Sequence, residues 1–119
     1  MRTICCCRVK PRDSLDTEEH AGHLRDYAAS AGYEVAGVRV VPAGKKPDVQ
    51  WLMREAKRCS AEAILVPSLA HLTRDRTEFM RIFKELAAEN IRLVSARGED
   101  PAGLYSLCRL VKDGSGVAR

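Results

Sequence analysis

The feature that most constrains this chain is its rhythm: short apolar runs alternate with longer stretches of helical periodicity. Thr3 to Val9 is a largely apolar run, which suits a strand covered on both faces. Pro11 stops it. Asp13 or Ser14 then offers an N-cap, and Asp16, Glu18 and Glu19 place negative charge in the first turn of a helix. That helix is expected to run to about Ala31 on an apolar stripe of Leu15, Leu24, Tyr27, Ala28 and Ala31, with Gly32 ending it. Glu34 to Val41 reads as the second strand. Pro47 suits the first turn of a second helix that carries Val49, Trp51, Leu52 and Ala56 and ends near Cys59. Ala63 to Val66 reads as the third strand, followed by a polar loop over Ser68 to Arg76 and a third helix from about Thr77 to Glu89. Ile91 to Ser95 reads as the fourth strand, and Ala102 to Val111 as a last short helix.

Strand and helix alternating at this spacing predict a single three-layer α/β domain. Its sheet is expected to be flavodoxin-like and mostly parallel, with four strands in the order 2-1-3-4 and helices on both faces. A chain of 119 residues buries enough apolar surface to hold one core without staples. Residues 1–111 are expected to form the domain, and the Gly/Ser-containing residues 112–119 a flexible tail. No apolar run approaches the roughly 20 residues of a membrane span. The start, Met1 to Cys7, is too short an apolar stretch for a signal peptide. The expectation is a cytoplasmic protein with no membrane partner.

The five cysteines, Cys5, Cys6, Cys7, Cys59 and Cys108, are odd in number and form no paired Cys-x-x-Cys motif. Three in a row on a strand point alternately to opposite faces, so they cannot ligate one ion together. They read as small buried apolar residues. His20 and His23 share a face of the first helix but follow Glu18 and Glu19 on a polar side, and read as surface residues. No metal and no cofactor is expected.

In an open parallel sheet, ligands bind beyond the carboxyl ends of the strands, where the strand order reverses. This sequence puts cations there. Arg8, Lys10 and Arg12 follow strand one, Lys45 and Lys46 follow strand two, His71, Arg74 and Arg76 follow strand three, and Arg97 follows strand four. The acids on the same rim are fewer: Asp13, Asp75, Glu99 and Asp100. Guanidinium groups hold phosphate oxygens in bidentate fashion, so such a rim suits phosphate. The plain alternative is a solvated surface, with Arg74 held by Asp75 or Asp13. The net charge of +4 permits contact with nucleic acid without requiring it.

Two segments of this rim resemble the active-site signatures of the serine recombinases (resolvases and invertases). Cys6-Cys7-Arg8-Val9-Lys10 is similar to that family's Tyr-x-Arg-Val-Ser, and Leu69-Ala70-His71-Leu72-Thr73-Arg74-Asp75 to its Leu-Asp-Arg-Leu-Ser/Thr-Arg-Asp. Ser14-Leu15-Asp16 resembles the family's Ser-Leu-Asp at the start of the first helix. Lys46-Pro47 with Leu52 and Met53 resembles its Arg-Pro-x-Leu-x-x-Leu-Leu, and Ile91 to Ser95 the strand after the third helix. The resemblance implies the same fold and a link to DNA recombination. It implies phosphate or DNA contact by Arg8, Lys10, Lys46, His71 and Arg74.

The same resemblance exposes what has changed. A serine in that family attacks a DNA phosphodiester, and here its position is Lys10. Ala70 stands for an aspartate, His71 for an arginine, and Lys46 for another arginine. No residue is expected to be catalytic, with Lys10, Ala70 and His71 as the degenerate positions. Ser14 is the alternative nucleophile to weigh, but its place at a helix start gives it a capping role; Ser68 and Thr73 are weaker candidates still. Nothing before Arg119 resembles a DNA-recognition helix, so sequence-specific binding is not expected. The expected partners are the DNA phosphate backbone, held weakly, and a second copy or a related recombinase. The competing readings are an active recombinase using another nucleophile, and a nucleotide- or anion-binding module unconnected with DNA.

Overall fold

The computed structural model describes residues 1–8, 14–41 and 48–113; the side chains of residues 8, 14–18, 20 and 111–113 lie outside that set. The elements run in the order β1 (Arg2–Arg8), α1 (Ser14–Ala31), β2 (Glu34–Val41), α2 (Val49–Arg58), β3 (Ala63–Val66), α3 (Leu69–Leu72), α4 (Arg76–Ala88), β4 (Arg92–Ser95) and α5 (Pro101–Asp113). The four strands form one sheet in the order β2-β1-β3-β4, and every pairing is parallel. This is the expected order, in a sheet that is wholly rather than mostly parallel.

Strand β1 is central, and its residues from Thr3 to Cys7 are all buried. Alternation sends its side chains to two cores. On one face Ile4 and Cys6 join Ile64, Val66 and Leu93, under Leu52 and Ala56 of α2 and Phe79, Ile82 and Leu86 of α4. On the other, Cys5, Cys7 and Leu65 meet Leu24 and Ala28 of α1. The expected split of the three cysteines between faces is therefore present, and the structure contains no disulfide among the five. The helices are shared unevenly. Tyr105 of α5 stacks on Phe83 of α4, with ring centroids 4.8 Å apart, so α5 lies on the α2–α4 side. Helix α1 is left to cover the second face. In its expected apolar stripe Leu24 and Ala28 are fully buried, Tyr27 is half-buried and Ala31 is exposed.

Several boundaries differ from the sequence expectation for local reasons. Gly32 ends α1 as expected, in the left-handed region at φ +79°. Asp48 caps α2 by accepting a bond from the Gln50 amide, so the helix begins beyond Pro47, which lies outside the described residues along with Asp13. The segment Ser68 to Arg76, expected to be all loop, contains the short helix α3. Ser68 caps it through the His71 amide, and Leu69 and Leu72, three apart, are buried against the core. Helix α5 extends to Asp113, two residues into the expected tail, and residues 114–119 lie outside the described set.

An ion pair fastens the β2 edge to α2. Arg39 Nε donates to Glu55 Oε1 at 2.7 Å, and Glu55 is only 8% exposed. That bond pushes the Arg39 guanidinium further above its already high range. Opposite Thr3 and Ile4 the register of β2 shifts by one residue, which brings Arg39 into line with Cys6 on the α2 side.

Two outcomes follow from this packing. Leu24→Ala should cost about 2–5 kcal/mol in denaturant unfolding, because among the described residues α1 is the one helix packed on this face. Leu107→Ala, at a position 59% exposed, should stay within about 0.5 kcal/mol. Burial also pushes the Cys5 thiol up from 9.0 to about 11, partly opposed by the Arg25 charge. The folded chain thus holds this proton more tightly than the unfolded one. The corresponding stability is intact below pH 9 and is lost as the pH climbs towards 11. Melting temperatures measured across that window should fall, and Cys5→Ala should flatten the decline.

Candidate functional site

A parallel sheet gathers all its carboxyl ends on one side, so the ends of β1, β2, β3 and β4 share a rim. The order reverses between β1 and β3, and α3 packs against both of these strands. Thus the segment Leu69 to Asp75 is seated at the switch point, beyond the end of the strand that delivers Arg8.

The expected site residues divide as follows. Arg8 is the last residue of β1, with its side chain outside the described set. Lys10 and Lys46 lie outside the described residues, as do Arg12 and Lys45. Ala70 and His71 are on α3, the first exposed and the second half-buried. Arg74 is exposed in the link from α3 to α4.

The residues around Arg74 show what holds it in place. Ser68 Oγ accepts from the His71 amide at 3.1 Å, Thr73 Oγ1 from the Asp75 amide at 3.1 Å, and Asp75 Oδ1 from the Glu78 amide at 3.1 Å. Ser68, Thr73 and Asp75 therefore serve as caps and turn formers. Asp75 is committed to the start of α4 rather than to Arg74. Arg74, Arg76 and Arg97 are all exposed, and none of them makes an ion pair among the described residues. Three guanidinium groups without carboxylate partners on one rim give it the donor chemistry for phosphate oxygens.

Glu99 is the residue whose part the sequence did not reveal. It was readable only as one acid among the rim charges. In the structure its Oε1 accepts from the Leu69 amide at 2.8 Å and from Ser95 Oγ at 2.8 Å. Gly98, at φ +85°, turns the chain after β4 just before it. Gly98-Glu99-Asp100-Pro101 is readable as a turn from the sequence, but nothing local in it points to the bond between Glu99 and Leu69. Arg74, Arg76, Glu99, Leu104 and Cys108 line a cavity of about 200 Å³ between α3, α4 and α5. A larger cavity of about 540 Å³ is lined by Phe83, Asn90 and Arg92 among others, and of the expected site residues neither Ala70, His71 nor Arg74 lines it. Among the described residues there is no cluster of groups suited to a metal ion, and no helix long and apolar enough to cross a membrane.

This arrangement, a parallel 2-1-3-4 sheet with the short helix α3 packed against β1 and β3 at the switch point, is that of a resolvase-type domain. The family model for the resolvase N-terminal domain matches residues 3–110, and the chain belongs to that family of serine recombinase domains, which act in DNA recombination. No curated protein matches. The fold is similar to solved structures at low identity. The N-terminal catalytic domain of TP901-1 integrase superposes with a TM-score of 0.78 at 17% identity, covering 95% of both chains. A resolvase-family site-specific recombinase from Streptococcus pneumoniae gives 0.74 at 16% identity, covering 95% of this chain and 86% of that one. The C-terminal catalytic domain of ISC1926 TnpA, an IS607-like serine recombinase, gives 0.66 at 23% identity, covering 95% of this chain and 78% of that one.

The caps make a direct prediction. Ser68→Ala should remove the bond to the His71 amide and cost about 1 kcal/mol. The loss should appear as faster amide exchange at His71 with little change in the exchange of β1 and β3. Uniformly faster exchange through the sheet would show that Ser68 acts on the core instead.

Proposed function

We propose that this domain has given up DNA strand cleavage and keeps a cationic rim that contacts the DNA phosphate backbone. The observation that carries the reading is Lys10, at the position where the family's signature has serine. A serine recombinase forms a phosphoserine bond, for which an oxygen must attack phosphorus. A lysine ammonium at neutral pH has no lone pair to offer, and neighbouring cations could make it nucleophilic only at the expense of strong mutual repulsion. Ala70 and His71 replace an acid and an arginine in the second signature, and Lys46 replaces an arginine while losing the bidentate fork. Groups that act as one catalytic unit fail together when its nucleophile is gone.

What survives favours binding. Arg8 and Arg74 hold the family's first and last arginine positions, and Lys10 adds a counter-charge in place of a hydroxyl. The exposed Arg74, Arg76 and Arg97 are left without acidic partners among the described residues, which supports contact with phosphate. Such contact is weak and indifferent to sequence. On this reading the domain works beside a related recombinase or a second copy of itself; Leu107 and Leu110 of α5, 59% and 56% exposed, offer apolar surface for such an association.

Binding of a labelled random-sequence duplex, followed by fluorescence anisotropy over a series of salt concentrations, tests the reading. Affinity should fall steeply with salt, and Arg74→Ala should weaken binding and reduce the logarithmic salt slope by about 1. Binding that ignores salt, or an unchanged slope in the variant, would remove the rim from the account.

A further inference from the structure

We infer that Glu99 is a positioning residue of the rim: one carboxylate oxygen holds the Leu69–Asp75 segment in place against the end of β4. The inference rests on the phosphate-binding reading of that rim and adds what sets its geometry.

The argument starts from the unsatisfied amides of a helix start. A helix leaves its first amides without internal partners. In α3, Ser68 Oγ takes the His71 amide, and the Leu69 amide goes to Glu99 Oε1 at 2.8 Å. These two residues are thirty positions apart, so the bond ties two loops of the rim together. The same oxygen accepts from Ser95 Oγ at 2.8 Å, and Ser95 is 2% exposed at the end of β4. Ser95 Oγ in turn accepts from the Arg97 amide at 3.2 Å. The chain of bonds thus runs from the sheet, through Ser95 and Glu99, to the first residue of α3.

The position of Arg74 depends on that anchor. Only Leu72 and Thr73 separate Arg74 from His71, and α3 has a single turn of its own. A helix this short has little stability apart from its contacts. Leu69 and Leu72 hold its buried side; Glu99 fixes its leading end. Helix α5 begins two residues after Glu99, and Leu104 and Cys108 of α5 line the same cavity as Arg74 and Glu99. The latch therefore lies between α5 and the signature segment.

The role predicts a sign opposite to simple electrostatics. Glu99 is an exposed acid on a cationic rim, and an acid there repels DNA. If that were its whole effect, Glu99→Ala and Glu99→Gln would both tighten DNA binding. A latch behaves otherwise. Glutamine retains an oxygen for Leu69 and Ser95, whereas alanine retains none. Each variant and the unmodified chain would be titrated with the random-sequence duplex, alongside hydrogen exchange read at the Leu69 and His71 amides. Circular dichroism melts would establish that both variants fold.

Glu99→Ala should speed exchange at Leu69 roughly tenfold and weaken DNA binding about threefold to tenfold, since it removes charge-assisted bonds. Its salt slope should be unchanged, because no cation has been removed. Glu99→Gln should exchange as the unmodified chain does and bind at least as tightly. Tighter binding by both variants, or equal exchange at Leu69 in all three proteins, would overturn the assignment. Failure of the unmodified chain to bind DNA would sink the reading of the rim and with it Glu99's part in binding; faster exchange in the alanine variant alone would then show the latch as purely structural.

Discussion

The enclosure of β1 is the constraint from which the rest of the structure follows. Its backbone pairs with β2 on one side and β3 on the other, and its side chains from Thr3 to Cys7 are buried on both faces. A strand in that position needs helices above and below the sheet. Its neighbours are parallel and reached through crossover helices, which bring every carboxyl end to the same side. The described strand ends that precede the cationic loops therefore lie on one side of the sheet because of how the core is buried. The charges are written into four separate segments of sequence, each following one strand of the sheet.

That arrangement is compatible with the proposal that the domain keeps a binding surface without strand-cleavage chemistry. Caps and turns use Ser68, Thr73 and Asp75 to fix the path of the signature segment, and none of these bonds depends on a nucleophile. Among the described residues the strand pairing of β1 is carried by Arg2 to Arg8, ahead of Lys10 in the chain. In physical terms fold and charge are separable from reactivity. On the proposed reading the loss of cleavage leaves the fold intact, and the remaining cations supply donors suited to phosphate.

Much of the architecture was legible in the chain. The strands were readable because β1 and β3 are continuous apolar runs and β2 is rich in valine, and Gly32 marked the end of α1 because its φ of +79° suits glycine. The parallel sheet followed from alternation, and the strand order is that of the flavodoxin-like pattern and of the resolvase resemblance. The short helix α3 was hidden, since Leu69 and Leu72 are two apolar residues in a segment that is otherwise polar, too few to show a period. The register shift in β2 and the placing of α5 beside α4 depend on tertiary contacts that local pattern does not encode. Of the site, the arginines were legible as a charged rim. Asp75 was read as a candidate partner for Arg74, because charge alone does not distinguish an ion pair from a helix cap. The reach of Glu99 across thirty residues to the Leu69 amide had no sequence signature at all.

The central claim is that Lys10 has silenced the strand-cleavage chemistry of a resolvase-family domain. Incubation with supercoiled plasmid, followed by denaturation and a search by mass spectrometry for a protein–DNA phosphodiester adduct, tests it most directly. The account predicts uncut plasmid and no adduct at any protein concentration. Nicked plasmid carrying DNA covalently attached to Ser14, Ser68 or Thr73 would contradict it.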